Sequence, residues 1–213
     1  MPGPDVVAAT TAGDDASAED PTRDRILDAA LEQFMAIGIR RASVGDIAKR
    51  AGVGRMTVYR RFPQRDELIT AAVMREARRE LEEIGRPLAA IEDPDERLVE
   101  LLVRTIRAVV AQPLLARLRE TEPEDVALRV TSGSEPLVTL GRDFMQAYLE
   151  AEIAAGRMRE QDAATSAELL ARITFSLFAA PESVLPLEDE AALRTVVGAS
   201  LAPIVTGRPI PAA

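Results

Sequence analysis

Apolar residues recur along this chain at i, i+3, i+4 and i+7 and nowhere alternate over a strand's length, so the pattern predicts helices throughout and no strands. The first helix is expected to start at Pro21 behind a capping Asp20. Ile26, Ala29, Ala30, Phe34 and Ile37 give it a core face, and Gly38 stops it. A long helix follows from Asp66 to Ile84, with Leu68, Ile69, Ala72, Val73, Ala77 and Leu81 along one side and Gly85 and Pro87 at its end. Its Arg75, Arg78 and Arg79 are interleaved with Glu76, Glu80, Glu82 and Glu83, which reads as a solvated face with weak ion pairs. Apolar-striped segments come next at 94–111, 113–120, 123–131, 135–155, 162–180 and 189–206. The last is the cleanest. Its Gly198, Ala199 and Ser200, with the small residues of 163–180, would let two helices approach closely. The fold class is all-α, with about nine helices.

Residues 43–69 carry the densest signal. Val44, Ile47, Ala48 and Ala51 form the apolar face of a short helix, and Gly52, which tolerates a positive φ, supplies a tight bend into a second one. Val53 and Val58 anchor the pair from either side. Arg55, Thr57, Tyr59, Arg60 and Arg61 are left facing outward on the second helix, where a helix-turn-helix touches base edges and phosphates. Ser43 stands where it can cap the first helix and also donate to a phosphate. Gly54 takes the place of a better capping serine on the second.

Charge separates this stretch from the rest. From Pro21 to Asp66 there are ten basic residues against five acidic, while the whole chain carries −9. A basic patch on an acidic protein is the electrostatic footprint of a nucleic-acid-binding module joined to a body that avoids nucleic acid.

The same stretch resembles the TetR family of bacterial transcriptional regulators. The resemblance rests on Thr22–Phe34, on Ser43, on Asp46-Ile47-Ala48, on Ala51-Gly52-Val53, on Thr57-Val58-Tyr59, and on Phe62, Arg65 and Leu68, and it covers residues 22–70. It implies an N-terminal three-helix DNA-binding domain followed by a larger helical ligand-binding and dimerisation domain. Carried over by position, it implies that Ser43, Tyr59 and Arg65 touch phosphates and that Arg55, Met56, Thr57 and Arg60 face bases or nearby backbone. Arg55 is the first choice for a guanine clamp, worth about 1–3 kcal/mol of base discrimination, with a second phosphate contact as its equal alternative. Met56 and Arg61 depart from the family's pattern. Met56 either reaches a thymine methyl or packs locally, packing being preferred, and Arg61 adds charge that raises nonspecific affinity.

The resemblance further implies a homodimer formed through the last two long helices, a palindromic operator in double-stranded DNA, and a cavity in the later helices for a small-molecule effector that releases the DNA. Leu101, Phe144, Met145, Tyr148, Phe175 and Phe178 are candidate lining, with Arg104, Thr105, Gln146 and Arg172 as polar anchors. An apolar or amphipathic effector is the preference.

Composition narrows the chemistry. The chain has neither cysteine nor histidine, so thiol catalysis, Ser-His-Asp triads, disulfides and the usual zinc ligands are excluded. No cofactor is expected. The division read from the sequence is a disordered acidic tail over 1–20, a DNA-binding domain over 21–66 and a ligand-binding and dimerisation domain over 67–213. No stretch reads as a membrane span, and a cytoplasmic location is expected. A ligand-independent DNA-binding or scaffold protein, and an all-helical enzyme, are the competing readings.

Overall fold

The computed structural model describes residues 20–121, 136–179, 182–208, 210 and 211. The expected helix at 123–131 and all but the last residue of the expected tail lie outside them. The described residues are helical, and none is in a strand. The first helix, α1 (Pro21–Ile37), is capped by Asp20, whose carboxylate accepts from the N–H groups of Thr22 and Arg23 at 3.0 and 3.1 Å. Pro21 sits at its first position, and Gly38 leaves it with φ 84°.

Two short helices, α2 (Val44–Arg50) and α3 (Arg55–Arg61), follow. At the end of α2 the N–H of Gly52 reaches the carbonyl of Lys49 at 3.2 Å and that of Val53 reaches Ala48 at 2.9 Å. This paired closure satisfies two orphan carbonyls and needs a left-handed residue at its centre, which Gly52 provides at φ 67°. The bend sets α3 at its steep angle. Gly54 precedes α3 without any side-chain cap.

The long helix α4 (Arg65–Gly85) then runs into a 3-10 turn, Arg86–Ala90, and α5 (Pro94–Ala111) is capped by Asp93. Next come α6 (Pro113–Thr121), α7 (Pro136–Ala154) and α8 (Ala163–Ala179). The last helix, α9, runs through 190–206 in three pieces: Glu190–Val196, a π-helical turn Val197–Leu201, and Ala202–Thr206. Pro203 cannot donate to the carbonyl four residues back and its ring crowds it, so the turn before it widens. In the widened turn the Ala202 N–H goes to the Val197 carbonyl, and the Gly198 carbonyl accepts instead from the N–H of Ile210 at 2.8 Å.

Two apolar clusters organise the chain. One joins α1, α2 and α3 through Ile26, Leu27, Phe34, Ile47, Val58 and Phe62; the other joins α5, α7, α8 and α9 through Leu98, Leu102, Ile106, Leu149, Leu170 and Leu193. Each fully buried side chain of this size contributes about 1.5–3 kcal/mol. The helix α4 belongs to both: Leu68, Ile69 and Ala72 enter the first cluster and Ile84 the second. Leu114 of α6 also enters the first.

The charged face expected on α4 is less solvated than the alternation of signs suggests. Arg75 reaches across to α1, donating to the Asp24 carbonyl at 3.2 Å, to the Asp24 carboxylate at 3.3 Å and to the Asp28 carboxylate. It fastens the long helix to the first one. Sequence pairs Arg75 with glutamates one turn away because it cannot show that α1 lies alongside.

Inside the second cluster Glu152 is buried, yet it is held by Arg97 at 2.9 Å and Arg157 at 2.8 Å. Burial raises its carboxyl, and the two guanidinia more than offset that, leaving it below its ordinary value. A charge in this position is tolerated because it is paired on both sides.

Of the small residues of α9, Gly198 meets the chain's own C-terminal segment. A Cβ at position 198 would overlap the Ile210 carbonyl oxygen, so Gly198 makes room for the chain's own C-terminal segment, with Ile210 buried against it. Ala199 and Ser200 remain exposed.

Candidate functional site

The surface of α3 is built by elimination. Its one buried residue, Val58, pins it to the cluster beneath, and Phe62 closes the end, covered by the Arg23 guanidinium at 5.5 Å from the ring centre. The remaining side chains have nowhere to go but out. Arg55, Met56, Tyr59 and Arg60 are exposed, Met56 at 79% and Tyr59 at 44%, and Thr57 is half-buried between them. Met56 therefore does not pack locally, contrary to the preferred expectation, because α3 lies on the surface and no apolar neighbour rises to meet it.

Most of the basic residues in this region are occupied within the fold. Arg50 pairs with Glu32, Arg41 donates to the Ile37 carbonyl at 2.9 Å, and Arg25 donates to the Pro21 carbonyl at 3.3 Å. Arg61 makes a two-pronged contact with Asp20 at 2.7 and 3.1 Å. Its hydrogen bond to Arg61, with the two backbone donors, holds the Asp20 carboxyl down at about 2. The added charge read at Arg61 is thus neutralised at its source. Arg65 is half-buried, and its Nη2 donates to the carbonyls of Ile39 and, at 3.4 Å, Ala42. It braces the turn between α1 and α2.

Of the basic residues between Pro21 and Asp66, Lys49, Arg55 and Arg60 are left with no ion pair, hydrogen bond or ring contact to the described residues. All three are exposed, two of them on α3. Gly45, which the helical pattern does not single out, makes room for one: a Cβ there would overlap the Arg55 guanidinium. Ser43 caps α2 by accepting from the Asp46 N–H at 3.1 Å and gives its hydroxyl proton to the Asp46 carboxylate at 2.5 Å. The capping role was legible from sequence; the engagement of its proton was not.

A cavity of about 120 Å³ lies between α4, α5, α6, α7 and α8. Of the residues expected to line it, Thr105, Phe144, Met145 and Phe175 do. Leu101 is fully buried in the second cluster, away from the cavity wall. Arg104 is exposed and pairs with Glu100, which Arg194 also holds. Gln146 and Arg172 bond to the glutamates one turn away, Glu150 and Glu168. Tyr148 is buried with its hydroxyl unpartnered, and burial pushes its phenol up. Phe178 lies against Phe175, 5.4 Å between ring centres, behind the wall. Sequence periodicity selects buried residues without distinguishing wall from filling, which is why these were grouped together. It also missed Glu80, Gln112 and Thr174, polar residues that do line the cavity.

The cavity and the α3 surface share a support. Ala77, Glu80, Leu81 and Ile84 of α4 form one wall, and the N-terminal half of the same helix is stapled to α1 by Arg75 and enters the cluster that anchors α3 through Leu68 and Ile69. On α6, Leu115 lines the cavity while Leu114 sits in the first cluster.

A family model described as bacterial regulatory proteins, tetR family, matches residues 26–72. An uncharacterised HTH-type transcriptional regulator of Mycobacterium tuberculosis is 32% identical over 183 residues, covering 86% of this chain and 85% of that protein. Two solved structures are similar in fold. One is the TetR family transcriptional repressor QsdR of R. erythropolis, at TM-score 0.64 and 23% identity over 91% of this chain and 98% of that one. The other is the TetR family repressor AlkX of Dietzia sp., implicated in biodegradation of n-alkanes, at TM-score 0.63 and 24% identity over 85% of this chain and 98% of that one. Among the described residues no helix is long and apolar enough to cross a membrane.

Proposed function

The chain is a member of the TetR family of transcriptional regulators, and from that premise we propose that it works as a homodimeric repressor whose two α3 helices read a palindromic operator and whose cavity takes a small effector that releases the DNA. One observation carries the reading. On a region where most cations are tied down inside the fold, α3 alone presents exposed, unpaired arginines, Arg55 and Arg60, beside exposed Met56 and Tyr59. Cations left without internal partners are available to phosphates and base edges, and releasing DNA counterions supplies the affinity.

In this reading Arg55 and Arg60 contact guanine edges or the adjoining phosphates, Met56 and Thr57 meet the groove floor, and Tyr59 donates to a phosphate. Ser43 and Arg65 belong to the same contact surface, Ser43 at the start of α2 and Arg65 as the brace of the turn before it. A two-fold axis would set the two readers one DNA turn apart, roughly 34–36 Å, and impose palindromy. Exposed Leu169 on α8 and exposed Ala199 and Ser200 on α9 support dimerisation through the last two helices. The two clusters share α4, and through it an effector in the cavity would act on the first. An effector shifts the equilibrium only by its difference in affinity for the two states, so it must alter the position of α4.

The test is selection of genomic fragments by the purified full-length chain, followed by measurement of affinity for the recovered site against salt and of the mass of the complex. A palindrome bound by two copies, with steep salt dependence, is the expected result. Binding without sequence preference, by a single copy, would contradict the proposal.

A further inference from the structure

The cavity specifies a class of effector. Among the described residues its wall is apolar almost throughout, with Phe144, Phe175, Leu81 and Val109 in it and Glu80 as the one ionisable side chain. Among the described residues no lysine or arginine lines it, so an anionic head group would find a like charge there. Among the described residues Glu80 makes no ion pair or hydrogen bond. Burial, together with Glu76 and Glu83 on the same helix, raises its carboxyl above the ordinary value and outweighs the opposing pull of Arg79.

A second polar group points the same way. Thr174 of α8 lines the cavity, is 7% exposed, and among the described residues its hydroxyl has no hydrogen-bond partner. Buried hydroxyls are normally satisfied, and this one lies on the wall of an open space. By contrast Thr105 donates to the Leu101 carbonyl at 2.7 Å and Gln112 uses its carbonyl oxygen to cap α6, at 2.6 Å from the Leu114 N–H. The two unmet acceptors, the Glu80 carboxylate and the Thr174 oxygen, both suit a donor that carries positive charge.

Size sets the scale of the molecule. An engineered apolar cavity of about 150 Å³ holds one benzene ring. At about 120 Å³ this one accommodates a single ring or a short alkyl chain, with little more.

Resting on the reading of the cavity as an effector site, we propose that its ligand is a small lipophilic cation, an arylalkyl or alkyl ammonium of about one-ring size, with the ammonium on Glu80 and Thr174 and the apolar body against Phe144 and Phe175. Because Glu80 lies on α4, neutralising it acts directly on the helix that carries the reader.

The experiment compares three probes of matched shape on the full-length protein: benzylammonium, benzyl alcohol and benzoate. Calorimetry reads binding, and operator affinity in the presence of each probe reads release. Benzylammonium is expected to bind at least 10-fold more tightly than the other two. E80Q should lose at least 10-fold for the amine while keeping its affinity for benzyl alcohol, which also shows that the variant cavity is intact, and T174V should weaken the amine alone. Alcohol or benzoate binding as tightly as the amine, an E80Q variant that binds the amine unchanged, or no binding of any probe would each overturn the cationic class. Release of operator DNA by the alcohol alone would do so while leaving the effector reading in place. Glu80-dependent binding of the amine without any change in operator affinity supports the ligand class and counts against the effector reading.

Discussion

Leu114 and Leu115 are neighbours on α6, yet Leu114 is buried in the cluster that anchors α3 and Leu115 lines the cavity. Both backbone N–H groups are held by one acceptor, the Gln112 side-chain oxygen, at 2.6 and 3.1 Å. Leu114→Ala is expected to cost about 2–5 kcal/mol of stability, because it opens a void in the first cluster. Leu115→Ala, which enlarges a space that already exists, is expected to cost markedly less. Denaturant unfolding of the two variants checks the order, and equal losses would contradict it.

Arg60 and Arg61 are adjacent cations with opposite availability. Arg60→Ala is expected to lower the slope of log affinity against log salt by about 0.9. Arg61→Ala should leave the slope unchanged, since its guanidinium is already spent on Asp20. Titrations of operator binding between low and moderate salt distinguish them.

The Asp20 carboxyl sits at about 2, against an ordinary 3.8, chiefly because Arg61 donates to it. The group's folded value is depressed, so its contribution to stability is complete above the ordinary value and is lost as pH falls through about 2. A carboxyl-carbon NMR titration should place Asp20 near 2 in the intact chain and move it up toward the ordinary 3.8 in Arg61→Ala, where the N–H groups of Thr22 and Arg23 still hold it.

Tyr148 is 2% exposed and its hydroxyl has no partner. An unsatisfied buried hydroxyl costs free energy that a ring without it avoids, so Tyr148→Phe is expected to be neutral or to stabilise by about 1 kcal/mol. Thermal unfolding reads the sign. A loss of more than that would reveal a hydrogen bond made in solution.

Gly198 faces the carbonyl of Ile210 with no room for a Cβ. Gly198→Ala is expected to destabilise by about 1–3 kcal/mol, the usual range for overpacking a tight contact. Removing the residues after Gly207 should make the same substitution nearly harmless, since the clashing carbonyl goes with them. A double-variant comparison of melting temperatures tests this coupling.

What the sequence determined by itself was local. The caps at Asp20 and Ser43, the left-handed turn at Gly52, the stop at Gly38 and the apolar stripes of α1, α4 and α9 arise from interactions within four or five residues, so spacing and residue type were enough to read them. The same information exposed Arg55, Tyr59 and Arg60, because a helix with one anchored face must present the other. Tertiary structure decided which cations remain available and which apolar residues face empty space. Arg61 is neutralised by a residue 41 positions away and Arg75 by residues 51 and 47 away. Glu80 and Thr174 meet the same cavity from helices far apart in the chain. Periodicity reports that a side chain turns inward or outward; only the packing of distant helices fixes what it meets there.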